Sequence, residues 1–194
     1  MISAKVYEGV KVVVLDAALA SVAIGKIRGG QIRRLGNLPL RRVDLIILAF
    51  LVEQVLIAAG LKGWPALSEI APYLYIVTYI LLFIAVWSNR SMPEMLVMGA
   101  GILLNFIVIA ANGGRMPVSP EGLIRIGMGD QISLIESGRA VTYCLAGPGA
   151  RLSFLGDMVA IGRPYPVHRM TSVGDIVIAV GVFLLIQRWM MRRA

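Results

Sequence analysis

The sequence predicts an all-α integral membrane protein, and three observations lead to that class. Hydrophobic residues make up 58% of the chain, charged residues only 15%, and the mean hydropathy is +0.79, whereas a soluble domain carries about 25% charged residues. Five apolar stretches are each long enough to cross a bilayer core as a helix. A long polar segment precedes the last of them. We therefore expect about five transmembrane helices and a folded external segment between the fourth and the fifth, in a single membrane domain over residues 1–194.

The five spans follow from the hydrophobic runs and from the residues that interrupt them. The first, residues 6–24, is the weakest because Glu8, Lys11 and Asp16 lie within it. A cleaved signal peptide is the competing interpretation, and it fits poorly because basic residues follow the apolar run. The other predicted spans are residues 43–60, 70–87, 92–111 and 173–189, and the external segment is residues 112–171.

Basic residues predict the orientation of these spans. They crowd the link between the first two spans, and short loops rich in Lys and Arg stay in the cytoplasm. This rule places the N-terminus outside and, after five spans, the C-terminus inside. The residues that carry the prediction are Lys26, Arg28, Arg33, Arg34, Arg41, Arg42, Arg188, Arg192 and Arg193.

Two serines with an acidic residue three positions later predict where two spans begin. Ser91 and Glu94 precede the fourth span, and Ser172 and Asp175 open the fifth. In this spacing the serine hydroxyl accepts a hydrogen bond from a free amide of the first turn, and the acidic side chain binds back to the serine amide. We expect a capping box at both sites.

The external segment shows shorter helical signals. The fourth helix should end at Asn112–Gly114, because glycine adopts the left-handed backbone of a helix end. Ser119 followed by Pro120 is typical of a helix start, and short helices are predicted over 121–126 and 130–136. Their apolar faces suit packing on the membrane or against the bundle.

Composition excludes several kinds of site. Cys144 is the single cysteine, so no internal disulfide or CxxC motif is possible, and His168, the single histidine, cannot build a zinc site alone. We expect no cofactor. The net charge of +8 fits membrane topology and contact with anionic lipid better than nucleic-acid binding, so the lipid bilayer is the expected partner.

Several motifs together resemble a bacterial family of small multi-spanning membrane proteins of unknown function. They include Gln54, the run from Ala111 to Ser119, which is the most specific, and Phe154-Leu-Gly-Asp157. The sequences Arg28-Gly29-Gly30, Arg163-Pro164 and Ser172-Val-Gly-Asp175 also belong to the resemblance. It implies a bacterial protein of the inner membrane and a multi-pass fold, and it implies no activity.

Polar residues at the ends of the external segment form the candidate site. Because the fourth span ends and the fifth begins on one face, we expect Arg115 to donate a charge-assisted hydrogen bond to Asp157 or Asp175. Each residue alone also has a structural explanation, such as helix capping. The predicted ligand-binding residues are Asn112, Arg115, Asp157, Arg163, Arg169 and Asp175, and the predicted intramembrane polar residues are Glu53, Gln54 and Asn105.

Two classes of function agree with these residues. The first is a binding or accessory protein whose external cluster holds an anionic ligand, such as a lipid headgroup, or docks a partner subunit. The second is a membrane enzyme that uses Asp157, Asp175 and His168 as acid and base on a lipid-linked substrate. The chain has no HExxH or GxSxG motif, so the sequence favours binding and leaves catalysis open.

Overall fold

A computed structural model describes residues 9–165 and 167–192. Five long helices, α1 to α4 and α7, form the bundle, and two short helices, α5 and α6, lie in the segment between α4 and α7. The helices are α1 (Gly9–Ile27), α2 (Val43–Lys62), α3 (Pro65–Ser88), α4 (Pro93–Ala111), α5 (Pro120–Arg125), α6 (Asp130–Glu136) and α7 (Val173–Met191). The bounds of the long helices lie close to those of the predicted apolar runs, although α1 ends three residues after the predicted 6–24 and α3 begins five residues before the predicted 70–87.

Four helices of the described chain are long and apolar enough to cross a membrane, namely α2, α3, α4 and α7. The first helix, α1, is outside this group, and it carries Lys11, Asp16 and Lys26 within 19 residues. The described residues therefore support a helical membrane protein, and a fifth span at α1 remains a prediction. The predicted start of that span, residues 6–8, lies outside the described residues.

Helix α7 lies between α1 and α4, which run in opposite directions. Asp16 in α1 contacts Arg169 just before α7, and Arg28 beyond α1 contacts Gln187 near the end of α7. Helices α1 and α7 are therefore parallel. Helix α4 is antiparallel to α7, since Asn105 lies beside the start of α7 and Glu94 beside its end.

Glycines allow α4 and α7 to approach closely. A Cβ atom on Gly101 would lie 2.5 Å from the carbonyl oxygen of Gly174, and one on Gly181 would lie 2.4 Å from Cγ of Met98. Small residues at such crossings bring membrane helices into backbone contact. The contact fixes the two helices that carry the buried polar residues described below.

The segment from residue 112 to residue 172 combines short helices with strands. Strand β1 (Met116–Val118) pairs parallel with β2 (Tyr143–Leu145), and β3 (Val159–Ile161) pairs antiparallel with β4 (Arg169–Thr171). Strands were absent from the predicted all-α class. Each strand has three residues, which is too short to show the alternation by which a strand is recognised in a sequence.

The two predicted short helices are confirmed, and they pack against the bundle. Leu123, Leu134 and Ile135 are buried together with Ile57 of α2 and Met170 of β4. The segment therefore has an apolar core of its own, which rests on the end of α2.

One predicted capping box is confirmed and the other is wrong. The Ser172 hydroxyl accepts from the Asp175 amide at 3.0 Å, and Asp175 Oδ2 accepts from the Ser172 amide at 3.1 Å. At α4 the N-cap residue is Met92, without a side-chain cap. Ser91 is exposed, and the Glu94 carboxylate instead accepts a hydrogen bond from Arg188, because α7 ends beside it.

Candidate functional site

A buried polar cluster joins α4 to the start of α7. Asn105 Nδ2 donates to Asp175 Oδ1 at 2.6 Å, and the Ser172 hydroxyl donates to Asn105 Oδ1 at 2.9 Å. Thr171 Oγ1 donates to Asp175 Oδ2 at 3.3 Å. Asp175 is fully buried, and these donors replace the water that its carboxylate loses. Asn105, which was predicted as an intramembrane polar residue, thus binds Asp175 of the other helix.

Asp157 is a second buried carboxyl group in this region. Its backbone belongs to the strand pairs, since its amide donates to the Pro117 carbonyl and its carbonyl accepts from the Ser119 amide. Its side chain is 2% exposed, and Oδ1 has no hydrogen-bond partner in the described structure. Burial, and then the negative charge of Asp175, raise the pKa of Asp157 well above its ordinary value. The protein therefore favours the protonated form of this group.

Arg169, at the start of β4, carries the buried guanidinium of the external segment. Its Nη2 donates to Asp16 Oδ2 at 2.5 Å, and the side chains of Arg169 and Asp16 are 4% and 31% exposed. The ion pair ties the external segment to α1. It also explains how α1 can hold an acidic residue within an apolar helix, since charges in that setting are retained when they are paired.

The remaining donors of Arg169 are buried without partners. Nε and Nη1 have no hydrogen bond in the described structure, and the ring of Tyr165 lies 4.7 Å from Cζ. An aromatic ring covers the face of a guanidinium and leaves its in-plane N–H groups open. Buried donors of a charged group without partners are costly, so these N–H groups mark a place for an acceptor.

An apolar groove of about 220 Å³ lies between α1 and α7. Val13 and Ala17 line it from α1, and Ile176, Val180 and Phe183 are among the residues that line it from α7. Val13 and Ala17 share the helical face of Asp16, whereas neither Asp16 nor Arg169 lines the groove. The groove therefore lies along the face of α1 that carries the partner of Arg169.

Other predicted site residues do not join this cluster. Arg115 is exposed, and no ion pair within residues 9–165 and 167–192 links it to Asp157 or Asp175. The expected hydrogen bond is absent because the Asp175 carboxylate binds Asn105, Ser172 and Thr171 instead. Arg163 is exposed in the turn before β4.

Asn112 has a role within the fold. Its Nδ2 donates to the carbonyls of Val108 and Arg151, both at 2.7 Å, and its Oδ1 accepts from the Arg151 amide at 2.8 Å. The Asn112 side chain therefore holds the loop at Arg151 against the end of α4 through hydrogen bonds. These bonds use both ends of the amide, which leaves little capacity for a ligand.

The remaining polar candidates lie apart from Arg169. His168 Nδ1 lies 2.7 Å from the Ile126 carbonyl oxygen, so this nitrogen donates, because a carbonyl only accepts. Glu53 on α2 is half-buried, and its position facing the bundle stays a prediction. Gln54 Nε2 is buried without a partner in the described structure.

Sequence reasoning missed Asp16 as a site residue. Hydropathy alone left its position open, since an acidic residue in a weak span suits either a bundle contact or a peripheral place. The available signal was periodicity, because Val13, Asp16 and Ala17 share one helical face. Its partner, Arg169, is 153 residues away, and no local pattern links the two.

Comparison with known proteins places the chain in a family. The chain belongs to a family described as a family of unknown function (DUF5317), whose model matches residues 37–187. This agrees with the resemblance to a family of unknown function. A protein of Thermotoga maritima, described as an uncharacterized protein, is 26% identical over 107 residues, which cover 55% of this chain and 58% of that protein. The chain thus spans somewhat over half the length of this relative, and no solved structure matches.

Proposed function

We propose that this member of the DUF5317 family binds an anionic amphiphile, with the phosphate of its headgroup on Arg169 and an acyl chain in the groove between α1 and α7. The proposal rests on the Arg169 guanidinium. This group is buried, and its Nε and Nη1 have no hydrogen-bond partner in the described structure. Nε–H and the Nη1–H groups point to different sides of the guanidinium, and Nη2 between them binds Asp16. Each of the two free groups can donate one charge-assisted hydrogen bond to a phosphate oxygen.

The apolar groove supports an amphiphile rather than a free anion. Its lining is aliphatic and aromatic, including Val13, Val180 and Phe183, and Val13 shares a face of α1 with Asp16, the partner of Arg169. A phosphate at Arg169 would leave its hydrocarbon tail next to this lining. Burial of apolar chain yields about 0.8 kcal/mol per CH₂ group in water, and within a bilayer the groove instead supplies packing contacts.

Charge supports the headgroup assignment. Asp16 already balances Arg169, so an additional anion needs further positive potential. Arg115 and Arg163 are exposed on the external segment, and surface arginines of this kind attract anionic headgroups over the Debye length. We infer that they attract the ligand while Arg169 holds it.

The catalytic alternative has less support. It needs Asp157, Asp175 and His168 around one substrate, yet Asp175 is fully buried and bonded to three residues. The His168 ring uses one nitrogen for the Ile126 carbonyl. Asp157 alone keeps an unpartnered oxygen, and one acid does not complete an acid–base pair.

Replacement of Arg169 by lysine tests the proposal. Lysine keeps the charge that faces Asp16 and removes the planar fork. We expect Arg169→Lys to bind short-chain phosphatidic acid about tenfold more weakly than the unchanged protein, because a charge-assisted hydrogen bond is worth about 1.5–3 kcal/mol. Native mass spectrometry of the purified full chain measures this binding, and Arg115→Lys is the control, expected to change affinity by less than about twofold.

Two further ligands test the headgroup charge and the acyl chains separately. Short-chain phosphatidylcholine lacks the net negative charge, and glycerol 3-phosphate lacks the acyl chains. Both should bind the unchanged protein more weakly than phosphatidic acid. Equal binding of phosphatidylcholine would refute the role of Arg169, and equal binding of glycerol 3-phosphate would refute the role of the groove. These two measurements need no variant, so they stand even where Arg169→Lys fails to fold.

A further inference from the structure

A second cavity lies at the opposite end of the bundle and has no part in the proposed function. It measures about 440 Å³ and lies among the end of α1, the first turns of α4 and the last turns of α7. Cavities of roughly 300–1,000 Å³ are typical of ligand sites. Four polar residues line it, Arg28, Glu94, Gln187 and Arg188, beside apolar residues such as Val97 and Leu184.

Contacts within the protein hold the two arginines in place. Arg28 Nη1 donates to Gln187 Oε1 at 2.8 Å, and Gln187 Nε2 in turn donates to the Ser21 carbonyl and hydroxyl oxygens. Arg188 Nη1 donates to Glu94 Oε1 at 2.8 Å. Each guanidinium therefore uses one nitrogen to bind its neighbour and retains further N–H groups for a ligand.

Glu94 determines which group a ligand needs besides its anion. Its side chain is 9% exposed, and its Oε2 is buried without a hydrogen-bond partner in the described structure. A buried carboxylate oxygen needs a donor. Oε2 is closed to solvent in the described structure, so a ligand that carries an N–H or O–H group in addition to an anion satisfies it when the Glu94 side chain turns toward the cavity.

The net charge of the cavity lining indicates which ligand of that kind fits best. Arg28 and Arg188 contribute two positive charges and Glu94 one negative charge, so the lining has a net charge of +1. One phosphodiester neutralises it. A hydroxyl group adds the donor for Glu94 without a further charge, whereas an ammonium group would leave the filled site positive.

The geometry points to a second lipid site, in which this cavity binds a phospholipid with a hydroxylated, singly anionic headgroup, of the phosphatidylglycerol type. The phosphodiester binds the free N–H groups of Arg28 and Arg188, and a headgroup hydroxyl donates to Glu94 Oε2. The cavity lies where three helices of the bundle end, which is the depth of lipid headgroups for a helix that crosses a bilayer. Leu184 and Val97, deeper along α7 and α4, face the first carbons of the acyl chains.

Native mass spectrometry with matched lipids tests this site in the full chain. Phosphatidylglycerol, phosphatidylethanolamine and phosphatidylcholine with the same acyl chains are added to the purified protein. We expect phosphatidylglycerol to bind about tenfold more tightly than either other lipid, since one charge-assisted hydrogen bond accounts for that ratio. Equal binding of the three lipids, or a preference for phosphatidylethanolamine, would overturn the assignment.

Arg28→Gln locates the preference in this cavity. Loss of this charge should lower the affinity for phosphatidylglycerol about tenfold. Arg192→Gln is the matched control, because Arg192 is exposed at the same end, against the ring of Trp189, and does not line the cavity. An equal loss in both variants would show a general charge effect and contradict the site.

Glu94→Gln tests the hydroxyl contact separately. The variant removes the carboxylate acceptor, so the preference for phosphatidylglycerol over phosphatidic acid, which lacks the hydroxyl groups, should decrease. An unchanged ratio would contradict the contact with Glu94. Arg169→Lys should leave the binding at Arg28 intact, so a failure of the proposed outer site and a failure of this inner site give different results.

Discussion

At the scale of single residues, burial determines what the acidic side chains do. Asp175 is fully buried and receives donors from Asn105, Thr171 and Ser172, which compensate for its lost hydration. Asp157 is buried to the same degree, yet its Oδ1 has no partner in the described structure. We conclude that Asp175 is a structural group and that Asp157 destabilises the fold whenever it is ionised.

Asp157→Asn tests this through the pH dependence of stability. The native pKa of Asp157 is raised above its ordinary value of 3.8 by burial and by Asp175. The folded protein thus holds this proton more tightly than the unfolded chain, and stability decreases as pH rises from about 4 through the native pKa. The variant lacks this titration, so its melting temperature relative to the unchanged protein should increase with pH.

A control variant separates this effect from general electrostatics. Asp130→Asn removes a carboxylate that is exposed at the start of α6. Its melting temperature should differ from that of the unchanged protein by only a small amount, because substitutions of exposed residues change stability little. If the difference for Asp157→Asn does not increase between about pH 4 and pH 8, the raised pKa of Asp157 is refuted.

At the scale of elements, the contact between α4 and α7 holds the buried polar cluster together. Gly101 and Gly174 meet at this contact, and a Cβ atom on Gly174 would lie 2.0 Å from Oδ1 of Asn105. The absence of side chains at these two positions lets Asn105 reach Asp175. Close packing of the helices and hydrogen bonding between them therefore depend on each other.

Gly101→Ala should destabilise the bundle. Glycine to alanine within a helix ordinarily stabilises by about 1 kcal/mol, but here the new Cβ would lie 2.5 Å from a backbone oxygen of Gly174 and 2.8 Å from the Ile178 amide nitrogen. Overpacking of this kind costs about 1–3 kcal/mol. We expect a lower melting temperature in detergent.

Gly99→Ala is the matched control on the same helix. Its Cβ would lie 2.9 Å from Cγ1 of Val86, a side-chain methyl rather than a backbone atom. We expect a smaller decrease in melting temperature than for Gly101→Ala, because only a side-chain atom must shift and alanine has the higher helix propensity. A loss in Gly99→Ala as large as that in Gly101→Ala would mean that the α4–α7 contact has no special role.

Local signals predicted the elements well because they depend on neighbours in the chain. Ser172 and Asp175 formed the expected capping box, and Ser119 caps α5 through the Gly122 amide. Ser91 and Glu94 have the same kind of spacing, yet Glu94 binds Arg188 on α7. Sequence spacing could not reveal this, because the competing partner is 94 residues away.

The candidate site was predicted only in part, for the same physical reason. Asp157 and Asp175 of the predicted cluster are buried, and so is Asn105, which was predicted as an intramembrane polar residue. The pairing of Arg115 was wrong, and the pair of Arg169 with Asp16 was not foreseen. Which arginine meets which carboxylate depends on how α1 docks on α7, and composition and periodicity do not contain that information.

At the scale of the whole molecule, charge is unevenly distributed between the two ends of the bundle. The end formed by the last residues of α1 and α7 and the first of α4 holds Arg28 and Arg188, together with a short 3₁₀ helix over Ile32–Asn37 that contains Arg33 and Arg34. The opposite end holds the segment between α4 and α7. The positive-inside rule predicts that the first end faces the cytoplasm.

Labelling of single cysteines in intact cells tests this orientation. Cys144 lies half-buried in β2 and is replaced by serine as background. Gly36 and Gly147 are exposed, at the basic end and in the external segment, and a Cβ atom at either position meets nothing within 4 Å, so Gly36→Cys and Gly147→Cys should fold as the unchanged chain does. We expect a membrane-impermeant maleimide to label Gly147→Cys in intact cells and Gly36→Cys only after the cells are opened.

The reverse pattern would invert the orientation, and it would place the Arg169 groove in the cytoplasmic leaflet and the Arg28 cavity in the outer one. Labelling of both positions in intact cells would mean that the two ends lie on one side, which would contradict an odd number of spans between them.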